Sequence, residues 1–194
     1  MNPDNLNAEV LILAYMQGVF PMPDPDTGEI QFYQPHMRAI FPLDAFHVSR
    51  SLKKRMSKAD YVVKTDTDFV GVMRHCANRK ETWITEAFIR AYGELHHAGL
   101  AHSLEIYLNG SIVGGVYGVT LGSAFFAESM FHTVSNMSKV ALFHLICHLR
   151  EREFHMLECQ FLTPHLASLG AIEISHATYL SRLNECIETS TRTF

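Results

Sequence analysis

Glu128, Glu158 and Gln160 carry side chains that can hold, orient or deprotonate an amine, and each stands at the end of an apolar, strand-like stretch. Glu128 opens Glu128-Ser-Met-Phe131 directly after Ala124-Phe-Phe-Ala127. A carboxylate in that position is at least half buried, and buried carboxylates need a partner. The partner is either a cationic group of a ligand or an internal Arg or Lys. Glu158-Cys159-Gln160 ends a second such stretch. Side chains on a strand alternate, so Glu158 and Gln160 are expected on one face. A carboxylate and an amide together can accept and align amine N–H bonds, which suits aminolysis of an ester. A polar face on an edge strand is the alternative. Cys159 has no assignable histidine partner and is expected to be a buried, inert thiol.

Other clusters bear on binding. Gly114-Gly115-Val116-Tyr117-Gly118 lies inside a strand pattern. Glycines there mark either a bulge or close approach of a ligand to the backbone. The segment lacks the glycine order and the following helix of a dinucleotide fingerprint. Five basic residues fall between Arg50 and Lys58. On a helix, Arg50, Lys53, Lys54 and Lys58 fall near one face, which either docks a phosphate backbone or is simply solvated. Trp83 precedes a helix, and Phe32-Tyr33 lies in a proline-bounded stretch. Such aromatics either stack on a nucleobase or cap the core. His144 and His148 stand four residues apart but lack a third ligand, so no metal is expected.

These groups must be positioned by a mixed set of elements. Ala8–Met16 reads as a helix stopped by Gly18. The proline-dense Phe20–Asp26 stretch reads as a loop. Extended pieces follow at Ile30–Tyr33 and Arg38–Phe41. Ser49 caps a helix reaching Lys58. Tyr61–Thr65 reads as a strand, Asp66 or Asp68 opens a helix to Ala77, and Thr85–Gly99 is a longer helix. Asn109-Gly110 between Ser103–Leu108 and Ser111–Leu121 predicts a hairpin with a two-residue turn. A strand at Ser123–Ala127, a helix at Ser135–Arg152, a short strand at Met156–Gln160, a short helix at Pro164–Leu169 and a helix at Ala177–Ile187 complete the chain. The expected class is α+β, a mixed sheet covered by helices. Residues 1–60 are the expected small N-terminal subdomain and 61–194 the main domain.

The 194 residues are 47% apolar and 19% charged, enough to build one packed core. The net charge of −4 excludes a general nucleic-acid coat and leaves room for one basic patch. No apolar run is long enough to span a bilayer, and Met1–Asn7 lacks the basic residues of a leader. The four cysteines are far apart, which favours a reduced, cytoplasmic protein over a disulfide framework.

Taken in order, the segments resemble the bacterial leucyl/phenylalanyl-tRNA–protein transferases. The resemblance runs through Ala14-Tyr15, Gly18-Val-Phe20-Pro21, Pro35, Arg38, Ser49-Arg50-Ser51, Cys76-Ala77 and Thr82-Trp83-Ile84-Thr85. It continues through Gly99–Glu105, Val113–Phe131, Ser138-Lys139-Val-Ala141-Leu142, Cys159-Gln160 and Ala167–Ala171. It implies a main domain like that of the acetyl-coenzyme-A-dependent N-acetyltransferases (GNAT-like). The implied activity moves Leu or Phe, in some cases Met, from aminoacyl-tRNA to the α-amine of a protein N-terminus. Acceptors usually begin with Arg or Lys, and the product is marked for degradation. A monomer working without coenzyme or metal is implied. Trp83, Phe32 and Tyr33 would frame the terminal adenosine, and Arg50, Lys53, Lys54 and Lys58 would meet acceptor-stem phosphates. Gly114, Gly115, Val116, Tyr117, Phe125, Met130 and Phe131 would line the Leu/Phe pocket. Glu128 would face the reaction centre or the acceptor's N-terminus, and Gln160, helped by Glu158, would position the amine. The chain has Phe32-Tyr33-Gln34-Pro35 where the family usually has Trp-Trp-Ser-Pro, and Glu158 where it usually has Asp. An acyl-coenzyme-A-dependent N-acyltransferase and a non-catalytic tRNA or N-terminus binder are the other readings. The first lacks any glycine at the helix entry His132–Ser138 to cradle a pyrophosphate.

Overall fold

The computed structural model describes residues 1–24, 26–189 and 192–194. After a short 3-10 helix, Pro3–Asn5, comes helix α1, Ala8–Met16, whose N-cap Asn7 accepts a bond from the Val10 N–H. Strands β1, Phe20–Pro23, and β2, Ile30–Tyr33, form a separate two-stranded ribbon. The loop expected over Phe20–Asp26 is therefore a strand at its start. A two-stranded ribbon tolerates prolines, because half its N–H groups need no partner. Pro25 lies outside the described residues.

The main sheet has seven strands. In chain order they are β3, Met37–Phe41; β4, Val62–Thr65; β5, Ala101–Leu108; β6, Ser111–Leu121; β7, Ala124–His132; β8, Met156–Glu158; and β9, Ile172–Ser175. Their order across the sheet is β4-β5-β6-β7-β8-β3-β9. Strands β4 to β7 form an antiparallel meander, turned at Asn109 and Gly110, both with positive φ. Strand β8 runs parallel to β7, and β3 and β9 follow antiparallel. Strand β3 lies inside this sheet, so the sheet draws on residues from both sides of position 60. The edge strand β9 leaves no clear mark in the sequence. Its burial pattern is mostly exposed, so it lacks the apolar alternation that announces a strand.

Helices α2, Arg50–Met56; α3, Phe69–Ala77; α4, Glu86–His97; α5, Met137–Glu151; α6, Pro164–Ser168; and α7, His176–Glu188 complete the fold. Side-chain caps at Ser49, Asp68 and Thr163 open α2, α3 and α6. The apolar core forms two clusters. One gathers Leu104, Val116 and Phe125 with Val140, Leu145 and Leu149 of α5, and Leu52 of α2. The other gathers Tyr117, Val119 and Phe126 with Phe69 and Met73 of α3, Phe88 and Tyr92 of α4, and Tyr15 of α1. Neighbouring β6 residues fall in different clusters, so the sheet separates α5 from α1, α3 and α4. The mixed α+β class is as expected.

Candidate active site

Two glycines of β6, Gly118 and Gly114, make room for the fold itself. Gly118 faces Ala127 in the ladder, whereas Tyr117 faces Ser129. Glu128 is the extra residue between them, the unpaired member of a β-bulge in β7. A Cβ at Gly118 would run into the Phe126 carbonyl oxygen, so the bulge needs glycine opposite it. Gly114 lies against the start of α5, where an added Cβ would stand 2.7 Å from Met137 Cβ and 2.8 Å from its carbonyl carbon.

Strands β7 and β8 pair from Ala124 and Met156 only as far as Phe126 and Glu158. Beyond that point β8's continuation bonds to β3 alone: Cys159 N donates to Ala39 O at 2.9 Å, and Ala39 N donates to Gln160 O at 3.1 Å. Between the parted strands lies a cavity of about 370 Å³, lined by Ala127–Met130 on one side and Cys159–Phe161 on the other. Phe20 and Met22 of β1, Phe41, Val116, Leu142 and Leu166 add apolar wall, and Arg79, Trp83, Thr163 and His165 also line it. A crevice at the carboxyl ends of parting parallel strands is a recurrent ligand site.

Gln160 has φ +58°, so strand alternation stops at Glu158 and the two side chains do not follow from period two. Their relation is instead a hydrogen bond of 2.6 Å from Gln160 N to Glu158 Oε1. The side-chain amide of Gln160 donates to Glu128 Oε1 at 3.1 Å. Tyr15 donates to the same oxygen at 2.7 Å, and its hydroxyl lies 2.6 Å from that of Tyr92. Since Tyr15 spends its proton on Glu128, Tyr92 donates to Tyr15. Burial raises both phenols well above their ordinary range, so they remain donors.

Burial, reinforced by the charge of Glu158, raises Glu128 to about 7, against the lowering pull of the Tyr15 hydroxyl. Such a carboxylate can exchange a proton near neutrality. Glu158 is fully buried and salt-bridged to fully buried Arg38, whose Nε and Nη2 lie 3.0 and 2.8 Å from Oε1. Burial pushes the Glu158 carboxyl up while Arg38 pulls it down. Arg38 also donates to Gly18 O at 2.6 Å and packs against the rings of Phe20 and Tyr179.

Of the expected pocket residues, Val116 and Met130 line the cavity. Gly114, Gly115, Tyr117, Phe125 and Phe131 do not: Tyr117 and Phe125 are core residues, and Phe131 stacks on His75. Trp83 lines it, edge-to-face on Phe88. Phe32 and Tyr33 lie outside the lining, on β2, with Tyr33 stacked on Phe20. Arg50, Lys53, Lys54 and Lys58 are exposed on and just after α2, and Arg55 is tied to Asp60 at 2.6 Å. Cys159 is buried, with its thiol pushed well up by burial. His144 faces the Tyr61 hydroxyl at 3.1 Å, and among the described residues no group of three His, Cys, Asp or Glu side chains is placed to hold a metal. Arg38, Tyr15, Met22, Arg79 and Phe161 are additions at the site that residue spacing did not single out. Arg38 alone left a signal, as a lone charge inside the apolar run Met37–Phe41.

An apolar slot ending on an amide and a neutral-range carboxylate suits the transfer of an acyl group with an apolar side chain. FemX has a similar structure, with a TM-score of 0.57 at 12% identity over 74% of this chain and 60% of that one. The sequence comparisons name the family. The leucyl/phenylalanyl-tRNA protein transferase model matches residues 40–184, and that family's N-terminal domain matches residues 4–36. The chain belongs to the leucyl/phenylalanyl-tRNA–protein transferase family. A member from Cereibacter sphaeroides is 51% identical over 189 residues, covering 97% of this chain and 88% of the relative. One from Rubrobacter xylanophilus is 48% identical over 94% of this chain and 95% of the relative. One from Salinibacter ruber is 45% identical, covering 97% and 83%.

Proposed function

We propose that this aminoacyltransferase moves Leu or Phe, and in some cases Met, from aminoacyl-tRNA to the α-amine of proteins that begin with Arg or Lys, marking them for degradation in the cytoplasm. The hydrogen bond from Gln160 to Glu128 at the edge of the apolar cavity carries this reading. In the reaction the amine nitrogen attacks the ester carbonyl carbon. The bond from that carbon to the ribose oxygen breaks, an amide forms, and the amine proton ends on the ribose hydroxyl. Glu128 is the group on hand to accept that proton and return it. Gln160 aligns the amine, and Glu158 acts as a positioning residue through the Gln160 backbone. The aminoacyl ester is already activated, so alignment supplies much of the acceleration.

Val116 and Met130, joined by Phe41 and Leu142, receive the Leu or Phe side chain. Trp83 meets the terminal nucleoside, and Arg50, Lys53, Lys54 and Lys58 meet acceptor-stem phosphates. Among the described residues no helix is long and apolar enough to cross a membrane.

The test is single-turnover transfer of radiolabelled Leu from charged tRNA to peptides beginning with Arg, Lys, Asp, Glu or Ala. Transfer to Arg and Lys is expected. Transfer to Asp and Glu alone would move acceptor recognition to Arg79, the exposed guanidinium lining the cavity. Failure with every peptide would reject the function.

A further inference from the structure

Phe161 is a large apolar side chain left 46% exposed where it lines the cavity, immediately after Gln160. Its ring is held, not loose. It stands edge-to-face on Phe20 at 5.4 Å and 86°. Phe20 is buried and is itself backed by Arg38 and Tyr33. The backbone just before Phe161 is tied down by the bonds from Gln160 N to Glu158 and from Ala39 N to Gln160 O. Trp83 repeats the arrangement, edge-to-face on buried Phe88 at 5.2 Å and 83°. Two partly exposed aromatic rings therefore line one cavity, each braced by a buried phenylalanine. Phe32 and Tyr33 do not line it.

We propose that Phe161 is a base-stacking residue for the donor, giving the nucleobase at the 3′ end of the aminoacyl-tRNA an aromatic face additional to Trp83. The inference rests on the reading that the donor is an aminoacyl-tRNA. In such a donor the ester is on the terminal ribose, so the base lies one nucleoside's length from the reacting carbonyl. Gln160 marks the reacting end, and Phe161 is its chain neighbour. A flat, preordered ring stacks on any base through its π-face and gives up little conformational freedom. An Arg or Lys side chain of an acceptor gains less from such a ring than from a carboxylate, which makes the acceptor the less suited occupant.

Trp83 is the only tryptophan in the chain, so its fluorescence reports the site without turnover. The experiment titrates the full chain with 3′-leucylamino-3′-deoxyadenosine, a non-hydrolysable donor fragment. It is run beside steady-state kinetics with leucyl-tRNA and an Arg-initiated peptide. Phe161→Ala should weaken fragment binding and raise KM for leucyl-tRNA, each by about five-fold or more, the low end of the loss of one stacking ring. KM for the peptide should not move. Phe161→Tyr should restore both donor terms and Phe161→Leu should not, which separates aromatic stacking from bulk. Unchanged donor terms, a rise in peptide KM instead, or equal rescue by Leu and Tyr would overturn the proposal while leaving the transferase reading intact. A wild-type chain that neither binds the fragment nor transfers leucine would overturn both.

Discussion

The Gln160 amide reaches Glu128 Oε1 across 3.1 Å, although the strands carrying the two residues stop pairing at Phe126 and Glu158. The contact spans the gap between parted strands and closes one end of the cavity. Its polar atoms meet there because a bulge re-aims Glu128 and a left-handed backbone re-aims Gln160. Replacing Gln160 with Ala should lower single-turnover transfer more than ten-fold while changing the melting temperature little. The side chain is part-buried and makes a single protein hydrogen bond. An unchanged rate would remove Gln160 from the reaction.

Glu128 should give the rate a limb that rises with pH through about 7, because only the carboxylate accepts the amine proton. Glu128→Gln should lose that limb and keep the one near pH 8 that belongs to the α-amine itself. Stability follows the same titration. The folded carboxyl lies above its ordinary 4.5, so its favourable contribution is complete below that value and is lost as pH rises through about 7. Relative to wild type, Glu128→Gln should therefore gain about 1–2 kcal/mol of stability at pH 8 and nothing at pH 4, after allowing for the side chain's partial exposure. Urea denaturation at the two pH values measures this.

The Arg38–Glu158 pair is fully buried, so removing one partner leaves a charge without solvent or counterion. Arg38→Met should cost about 3–5 kcal/mol in urea denaturation. Adding Glu158→Gln, which keeps an acceptor for the Gln160 N–H, should recover more than half of that loss. A double variant as unstable as the single one would show that the cost comes from packing against Phe20 and Tyr179.

Lys53 and Lys54 are exposed on α2. Replacing both with Ala should weaken tRNA binding and lower the slope of log affinity against log salt by about 1–2, since each phosphate a lysine neutralises adds about 0.9 to that slope. Filter binding between low and moderate salt reads this directly, and an unaltered slope would leave α2 a solvated helix.

Gly114 tests the division between shape and chemistry. Gly114→Ala should destabilise the fold by about 1–3 kcal/mol through the clash with Met137. In the protein that remains folded, KM for leucyl-tRNA should be unchanged. A selective loss of donor affinity at full stability would return this glycine to the pocket.

Local order was legible from the residues alone wherever its cause is local. Ser49 and Asp68 cap α2 and α3 through bonds three residues long, and Asn109-Gly110 turns β5 into β6 because both positions adopt positive φ. The chemical types at the site were legible too, since a carboxylate ending an apolar strand must find a partner. Which partner it finds is decided by the tertiary structure. Arg38 and Glu158 are 120 residues apart, Tyr15 and Glu128 are 113 apart, and nothing in their neighbours' periodicity links them. The same holds for the cavity wall. Glycine in β6 is equally consistent with a ligand face, a bulge or a packed helix, and only the register with β7 and the approach of α5 choose between them. Propensity and capping act over a turn or a hairpin, whereas strand pairing and side-chain packing join segments whose separation along the chain carries no information about their distance in space.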